Sequence, residues 1–145
     1  GLREDGGEMK KLIFSFLMCI PLLVSARGHD WVCADHAKDY SWWIFVYDDI
    51  QRPELKYGYV KVWVKWEYST MEAQKEFNTQ AAKSKQLYEF SYDFTSFRIL
   101  QVVDYDKNDK VINDSNIPSS RSNIIPETVG ESIAETAKEI LSKKD

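Results

Sequence analysis

The chain has 145 residues and carries 19 basic against 23 acidic side chains, a net charge of −4. That length sets an expectation of one domain, and apolar and charged fractions of 43% and 29% exclude disorder throughout. There is no basic surplus or patch, so nucleic-acid binding is not expected, and no run of like charges suggests a membrane-binding tail.

Met9-Lys10-Lys11 is positively charged, Leu12 to Leu23 is an apolar run, and Val24-Ser25-Ala26 supplies small residues. Together these read as a secretory signal peptide, cleaved after Ala26. The run is too short to span a bilayer, which takes about 20 residues. Residues 1–8 precede a start methionine and read as an expression remnant or an upstream mis-assigned start. Cys19 is not expected to be lipidated, because Met18 is not small and the apolar run continues past it. The leader is thus 1–26 and a single domain occupies 27–145, exported to the periplasm or cell surface with no integral span in the mature form. Cys33 is the only cysteine beyond the leader, which excludes a disulfide within one mature chain. It reads as a small buried apolar group, or as a thiol that pairs between chains.

In chain order, Trp31-Val32-Cys33-Ala34 reads as a first strand. Tyr40 to Tyr47 is a second, with Trp42, Ile44 and Val46 on one face and Trp43, Phe45 and Tyr47 on the other. Both faces are apolar, so cover on each side is expected. Pro53 marks a connection. Tyr57 to Tyr68 is a long strand. Val60, Val62, Val64 and Trp66 form its core face, while Tyr57, Tyr59, Lys61, Trp63 and Lys65 form an aromatic, basic face that is either wet or a contact surface. Ser69 to Lys85 favours helix but holds few large apolar residues, so a short surface helix capped by Thr70 or Ser69 is expected.

Gln86–Asp93 and Phe97–Tyr105 alternate and should form a hairpin about a turn at Thr95-Ser96. The pattern places Phe97, Ile99, Gln101, Val103 and Tyr105 on one face. Asp106 to Asp109 is a tight turn into Val111-Ile112, and Asn113 to Asn123 is a polar loop. The last element is an amphipathic helix carrying Val129, Ile133, Ala137, Ile140 and Leu141 on one stripe. Its start is set either by Pro126 or by a capping box at Thr128–Glu131. The fold expected is α+β: one strongly curved antiparallel meander of five or six strands, with the C-terminal helix on its concave or apolar face and a short surface helix in the middle.

The residues filling these elements resemble those of the surface-adhesin protein E-like family of exported bacterial proteins. The resemblance rests on Trp31, Tyr47-Asp48 with Ile50, Val62-Trp63-Val64-Lys65, Leu87-Tyr88-Glu89-Phe90, Phe97-Arg98-Ile99-Leu100, Tyr105-Asp106, and Ile125-Pro126 through Gly130-Glu131. It covers most of residues 31–141. It implies an antiparallel sheet with a terminal helix, and a founding type similar to an adhesin that binds host matrix and serum proteins. Members often carry a cysteine just after the Tyr-Asp of the fourth strand and another near the end. Phe94 stands at the first place here and no cysteine follows it.

Catalysis needs nucleophile, base or metal in arranged pairs, and His29 and His36 are the chain's only histidines. A Cys33–His29 or Cys33–His36 dyad would suit acyl transfer. A helical reading of this segment would let His29, Cys33 and His36 bind zinc, whereas a strand points His36 away. A mature N-terminus at Arg27-Gly28-His29 would offer an amine, two amides and an imidazole to Cu(II) or Ni(II) in a square plane. Asp104, Asp106, Asn108 and Asp109 lack the glycine and distal glutamate of a calcium loop and read as a solvated turn. No cofactor and no metal are expected. The function expected is a non-enzymatic, adhesin-like protein-binding module whose contact face is Tyr59, Lys61, Trp63 and Lys65. Its partner is a host matrix or serum protein, an envelope component, or a second copy. The other readings are an envelope assembly component with no host ligand and a small Cys33-dependent enzyme.

Overall fold

The computed structural model describes residues 29–144. The expected leader, its cleavage point, Arg27 and Gly28 lie outside the described residues. Six strands, β1 (Trp31–His36), β2 (Trp42–Tyr47), β3 (Tyr59–Tyr68), β4 (Lys83–Ser91), β5 (Ser96–Tyr105) and β6 (Val111–Ser115), form an antiparallel meander in chain order. A two-residue strand, β7 (Ser122–Asn123), pairs with the start of β5. Helix α1 (Met71–Glu76) lies between β3 and β4, and α2 (Val129–Ser142) closes the chain. The fold is therefore the α+β meander expected from the sequence. Among the described residues no helix is long and apolar enough to cross a membrane.

One sheet face is the core. Val60, Val62 and Val64 of β3 and Ile44 and Val46 of β2 are fully buried, and Ile133, Ala134 and Ala137 of α2 close over them. Alternation on the strands and a 3.6-residue stripe on the helix bring these residues together. Each large side chain so buried contributes about 1.5–3 kcal/mol. The second sequence reading of the α2 start is the one observed. Thr128 is the N-cap and its Oγ1 accepts the Glu131 N–H at 3.4 Å, while Glu131 Oε1 accepts the Glu127 N–H at 3.0 Å. Pro126 lies one turn outside the helix. At the other end Lys144 Nζ donates to the Ile50 carbonyl at 3.0 Å, fastening the helix to the connection after β2. Thr70 caps α1 by accepting the Ala73 N–H at 3.0 Å. Just beyond that helix, Phe77 stands edge-on to Trp42 and Trp66 at 5.7 and 5.4 Å between ring centroids.

Two irregularities change which side chains share a face. On β1 the register steps from Cys33 opposite Phe45 to Asp35 opposite Ile44, leaving Ala34 as the extra residue. His36 thereby lies on the same face as Cys33, not opposite to it as regular alternation demands. On β5 the register steps from Ile99 opposite Tyr88 to Gln101 opposite Leu87, with Leu100 unpaired. Phe97 and Ile99 consequently join the core, whereas Gln101, Val103 and Tyr105 turn to the other face; a single face for all five is corrected. A bulge inserts one residue and inverts the alternation beyond it. Other boundaries also move. β4 starts at Lys83 rather than Gln86, its turn to β5 spans Tyr92–Thr95, β6 continues through Ser115, and the polar segment after it contributes β7. β2 has helical cover on its Ile44 face, while Trp43, Phe45 and Tyr47 opposite remain partly exposed.

Phe94 occupies the left-handed region at φ 59° inside the β4–β5 turn, yet its ring is buried against Phe90 at 5.1 Å. Burial there offsets a backbone cost of about 1 kcal/mol or more. Tyr88 is equally enclosed. Burial pushes its phenol up to about 12, with the neighbouring Trp66 indole acting in the opposite sense. That indole N–H is buried and its geometry completes no hydrogen bond. Burial likewise raises Tyr68 far above the ordinary tyrosine value. Because the unfolded tyrosine ionises near 10, the folded state holds its protons longer. Stability from these groups is whole below pH about 10 and is lost as pH rises toward about 12. Urea midpoints should fall across that window, and Tyr88→Phe should flatten the fall while Tyr68 keeps the remainder. A midpoint independent of pH in wild type would contradict the enclosure of these rings.

Candidate functional site

Among the described residues the face opposite α2 carries no helix. Strand alternation places Tyr59, Lys61, Trp63 and Lys65 on it together, as β3 runs through the middle of the sheet. Their surroundings differ. Tyr59 is 51% exposed, with the Arg121 guanidinium over its ring at 4.6 Å. Lys61 is exposed opposite Glu89. Trp63 is half-buried. Lys65 is sunk among rings, its Nζ 4.7 Å from the Trp31 centroid and 5.1 Å from that of Phe45, and it pairs with Glu67 at 3.3 Å. Cation–π contacts of this kind contribute roughly 0.5–2 kcal/mol each. Lys65 therefore braces the aromatic face more than it projects from it.

At the β3 entry the face is rich in tyrosine. A hollow of about 280 Å³ is lined by Lys56, Tyr57, Tyr59, Tyr92 and Asp93, among others. The loop that presents Tyr57 is held closely. A side-chain carbon at Gly58 would lie 2.7 Å from Pro53 Cβ, so only glycine fits there. Gly58 N–H donates to the Leu55 carbonyl at 2.9 Å. Arg52 donates to the Tyr92 carbonyl at 3.2 Å and lies 4.9 Å from the Tyr92 ring centroid. The facing turn is tied by Asp93, whose Oδ1 accepts from Ser91 Oγ, Thr95 N–H and Thr95 Oγ1. The Thr95 hydroxyl is the main cause holding the Asp93 carboxyl below its usual value. Even so, Tyr57 and Leu55 are 90% and 75% exposed.

Next to this end, the segment after β6 folds back over the sheet. Glu89 is buried and accepts from Arg98 Nε at 2.8 Å and Arg121 Nη2 at 2.6 Å through the same oxygen. Arg121 also reaches the Ser96 hydroxyl at 3.2 Å.

Toward the other end lies a second hollow, of about 300 Å³, walled by Trp31, Tyr47, Trp63 and Tyr105, with Val103 and Lys85 completing it. These residues come from β1, β2, β3, β4 and β5. Strands four places apart in a flat sheet stand about 19 Å from one another; a shared hollow requires the sheet to curl toward this face. Sequence reasoning missed Trp31, Tyr47, Lys85 and Tyr105 as a group. Tyr105 reaches this face only through the Leu100 bulge, for which the sequence carries no glycine or proline.

The residues weighed for chemistry are otherwise employed. His29 Nδ1 lies 3.1 Å from Asp48 and Nε2 3.5 Å from Asp49. His36 Nδ1 meets the Ala37 carbonyl at 2.8 Å, with its ring against Tyr40 and Trp43. Cys33 is exposed at residue level, correcting the expectation of a buried group. Partial burial of the thiol still pushes it above its ordinary value, and the nearby Asp35 carboxylate adds to this in a smaller way. Among the described residues no three His, Cys, Asp or Glu side chains gather as a metal site. Of the copper terminus only His29 is described. No protein-family model, curated protein or solved structure matches the chain.

Two outcomes follow. Glu89→Ala leaves two arginines facing a buried gap and should cost about 3 kcal/mol in urea unfolding, whereas a loss within about 0.5 kcal/mol would mean that the clamp is idle. Cys33 should react slowly with a disulfide reagent at neutral pH and accelerate above pH about 9; a fast neutral reaction would mark an activated thiolate.

Proposed function

We propose that this chain is an exported, non-enzymatic binding module of adhesin type that takes a protein partner on the tyrosine-rich end of its helix-free face. The observation that carries the reading is the braced loop bearing Leu55 and Tyr57. Both side chains are exposed, while the backbone beneath them is fixed by the Pro53–Gly58 contact and by Arg52. Rigid aromatic anchors lose little conformational entropy on binding, and Tyr and Arg dominate the energetics of protein interfaces. Tyr59 and Lys61 extend the same surface. Export is supported by the charged, apolar and small-residue segments of 9–26, and the adhesin character by the family resemblance. A catalytic role for Cys33 is disfavoured by its raised thiol and by histidines already bonded elsewhere.

Among the described residues both outer strands of the sheet leave an edge unpaired, and this favours one other reading, an envelope assembly component. β6 ends the sheet with Val111 and Ile112 about half exposed, and β1 ends the other side with Val32 partly exposed. Unpaired edges template strand addition.

Immobilised host matrix and serum proteins, probed with the exported chain, provide the test. One of them should bind, with Tyr57→Ser plus Leu55→Ser weakening it about tenfold or more and Lys61→Glu weakening it further. Loss of binding without loss of thermal stability supports the module. Binding indifferent to all three substitutions sinks this surface, and crosslinking only to the chain's own envelope proteins favours the assembly reading.

A further inference from the structure

The second hollow differs from the tyrosine-rich end in the charge of its lining. Its walls are rings from four strands, Val103 on this helix-free face is buried, and no carboxylate lines it. A volume of about 300 Å³ falls at the small end of ligand pockets. The nearby lysines are not equivalent. Lys83 is paired with Asp109 at 2.6 Å and Lys65 with Glu67 at 3.3 Å. Lys85 has no ion pair among the described residues and is held over the Tyr105 ring at 5.3 Å. It is the cation in the lining, and the apolar rings beside it lower the local dielectric, so its attraction for an anion exceeds that in bulk water.

The backbone narrows the choice of occupant. Main-chain groups of β2 to β5 here are engaged in the ladders between neighbouring strands, so the floor offers side chains only. An extended peptide lying on that floor would find no strand to pair with, since strand addition uses an edge and the one edge beside the hollow is β1. A compact ring can lie against Trp31 or Trp63, and a single negative group on it can reach Lys85.

We propose that this hollow is a binding site for a ring-bearing carboxylate, its ring held by Trp31, Tyr47 and Trp63 and its carboxylate by Lys85 Nζ. The site uses residues separate from the protein-contact end and does not depend on it. An aromatic acid and an acidic sugar share this chemistry.

Naphthoate and glucuronate, with naphthamide and glucose as their neutral counterparts, serve as probes for the purified chain. Binding is read from tryptophan fluorescence and from the indole N–H resonances of Trp31 and Trp63. At least one acid should saturate the response, with its neutral counterpart about tenfold weaker or more. Lys85→Gln should abolish that difference while lowering the melting temperature by no more than a few degrees, the share of its lost contact with the Tyr105 ring, and added salt should weaken the acid alone. Saturation by naphthoate alone assigns an aromatic acid, by glucuronate alone an acidic sugar; either upholds the site. No saturable response to either acid overturns it. So does a neutral counterpart that binds as tightly as its acid, or an acid that binds Lys85→Gln as it binds wild type.

Discussion

Packing of α2 against β1 and β2 fixes which face of the meander is interior, and most other features follow from that choice. The helix has one apolar stripe, Ile133, Ala134, Ala137, Ile140 and Leu141. A single stripe can dry only one side of a sheet. The valines of β3 therefore go inward, and by the two-residue period Tyr59, Lys61, Trp63 and Lys65 must go outward. Sliding β3 by one residue would bury two lysines under the helix, which explains why the register is so firmly set.

The outward face is then left to stabilise itself without a helix. It does so by crowding rings around cations: Lys65 between Trp31 and Phe45, Lys83 and Lys85 beside Tyr105, Arg121 over Tyr59. A long lysine stem covers apolar surface while its charge meets the ring faces. At one end Glu89, Arg98 and Arg121 lock the segment after β6 down onto the sheet. The face is thus ordered by its own contacts, and it keeps a recess where rings from β1 and β5 approach across the curled strands.

Much of the fold could be read from period alone. β3 shows clean alternation with opposite characters on its two faces, and α2 repeats at helical spacing, so these elements and their buried sides were legible. β2 is apolar on both faces, so only the structure shows that its Ile44 side is the one covered. The two bulges were not. Ala34 and Leu100 are ordinary residues for regular strands, and their extra place in the ladder arises from tertiary register. The Leu100 bulge had the larger effect on the site, because it delivers Val103 and Tyr105 to the ligand-sized hollow. The short pairing of Ser122–Asn123 was hidden for another reason: a polar serine-rich segment gives no periodic signal, and its two ladder residues are recruited by a neighbour already in place. That Tyr59, Lys61, Trp63 and Lys65 share one face was legible from alternation, but the sunken position of Lys65 depends on Trp31, a residue 34 positions earlier in the chain.

The two ends of this face differ in how they treat water. At the β3 entry Tyr57 projects outward on a braced loop, where the proposed protein partner would meet it. In the recess the rings already face one another, half dry, and a small occupant completes an enclosure that the sheet has begun. Leaving Trp31 and Trp63 partly wet forfeits burial energy that a folded domain of this size could use. Cations over the ring faces recover a share of it. The rest remains available to whatever molecule displaces the water, and because Lys85 has no ion pair among the described residues, the proposed anion is the occupant that would gain most from doing so.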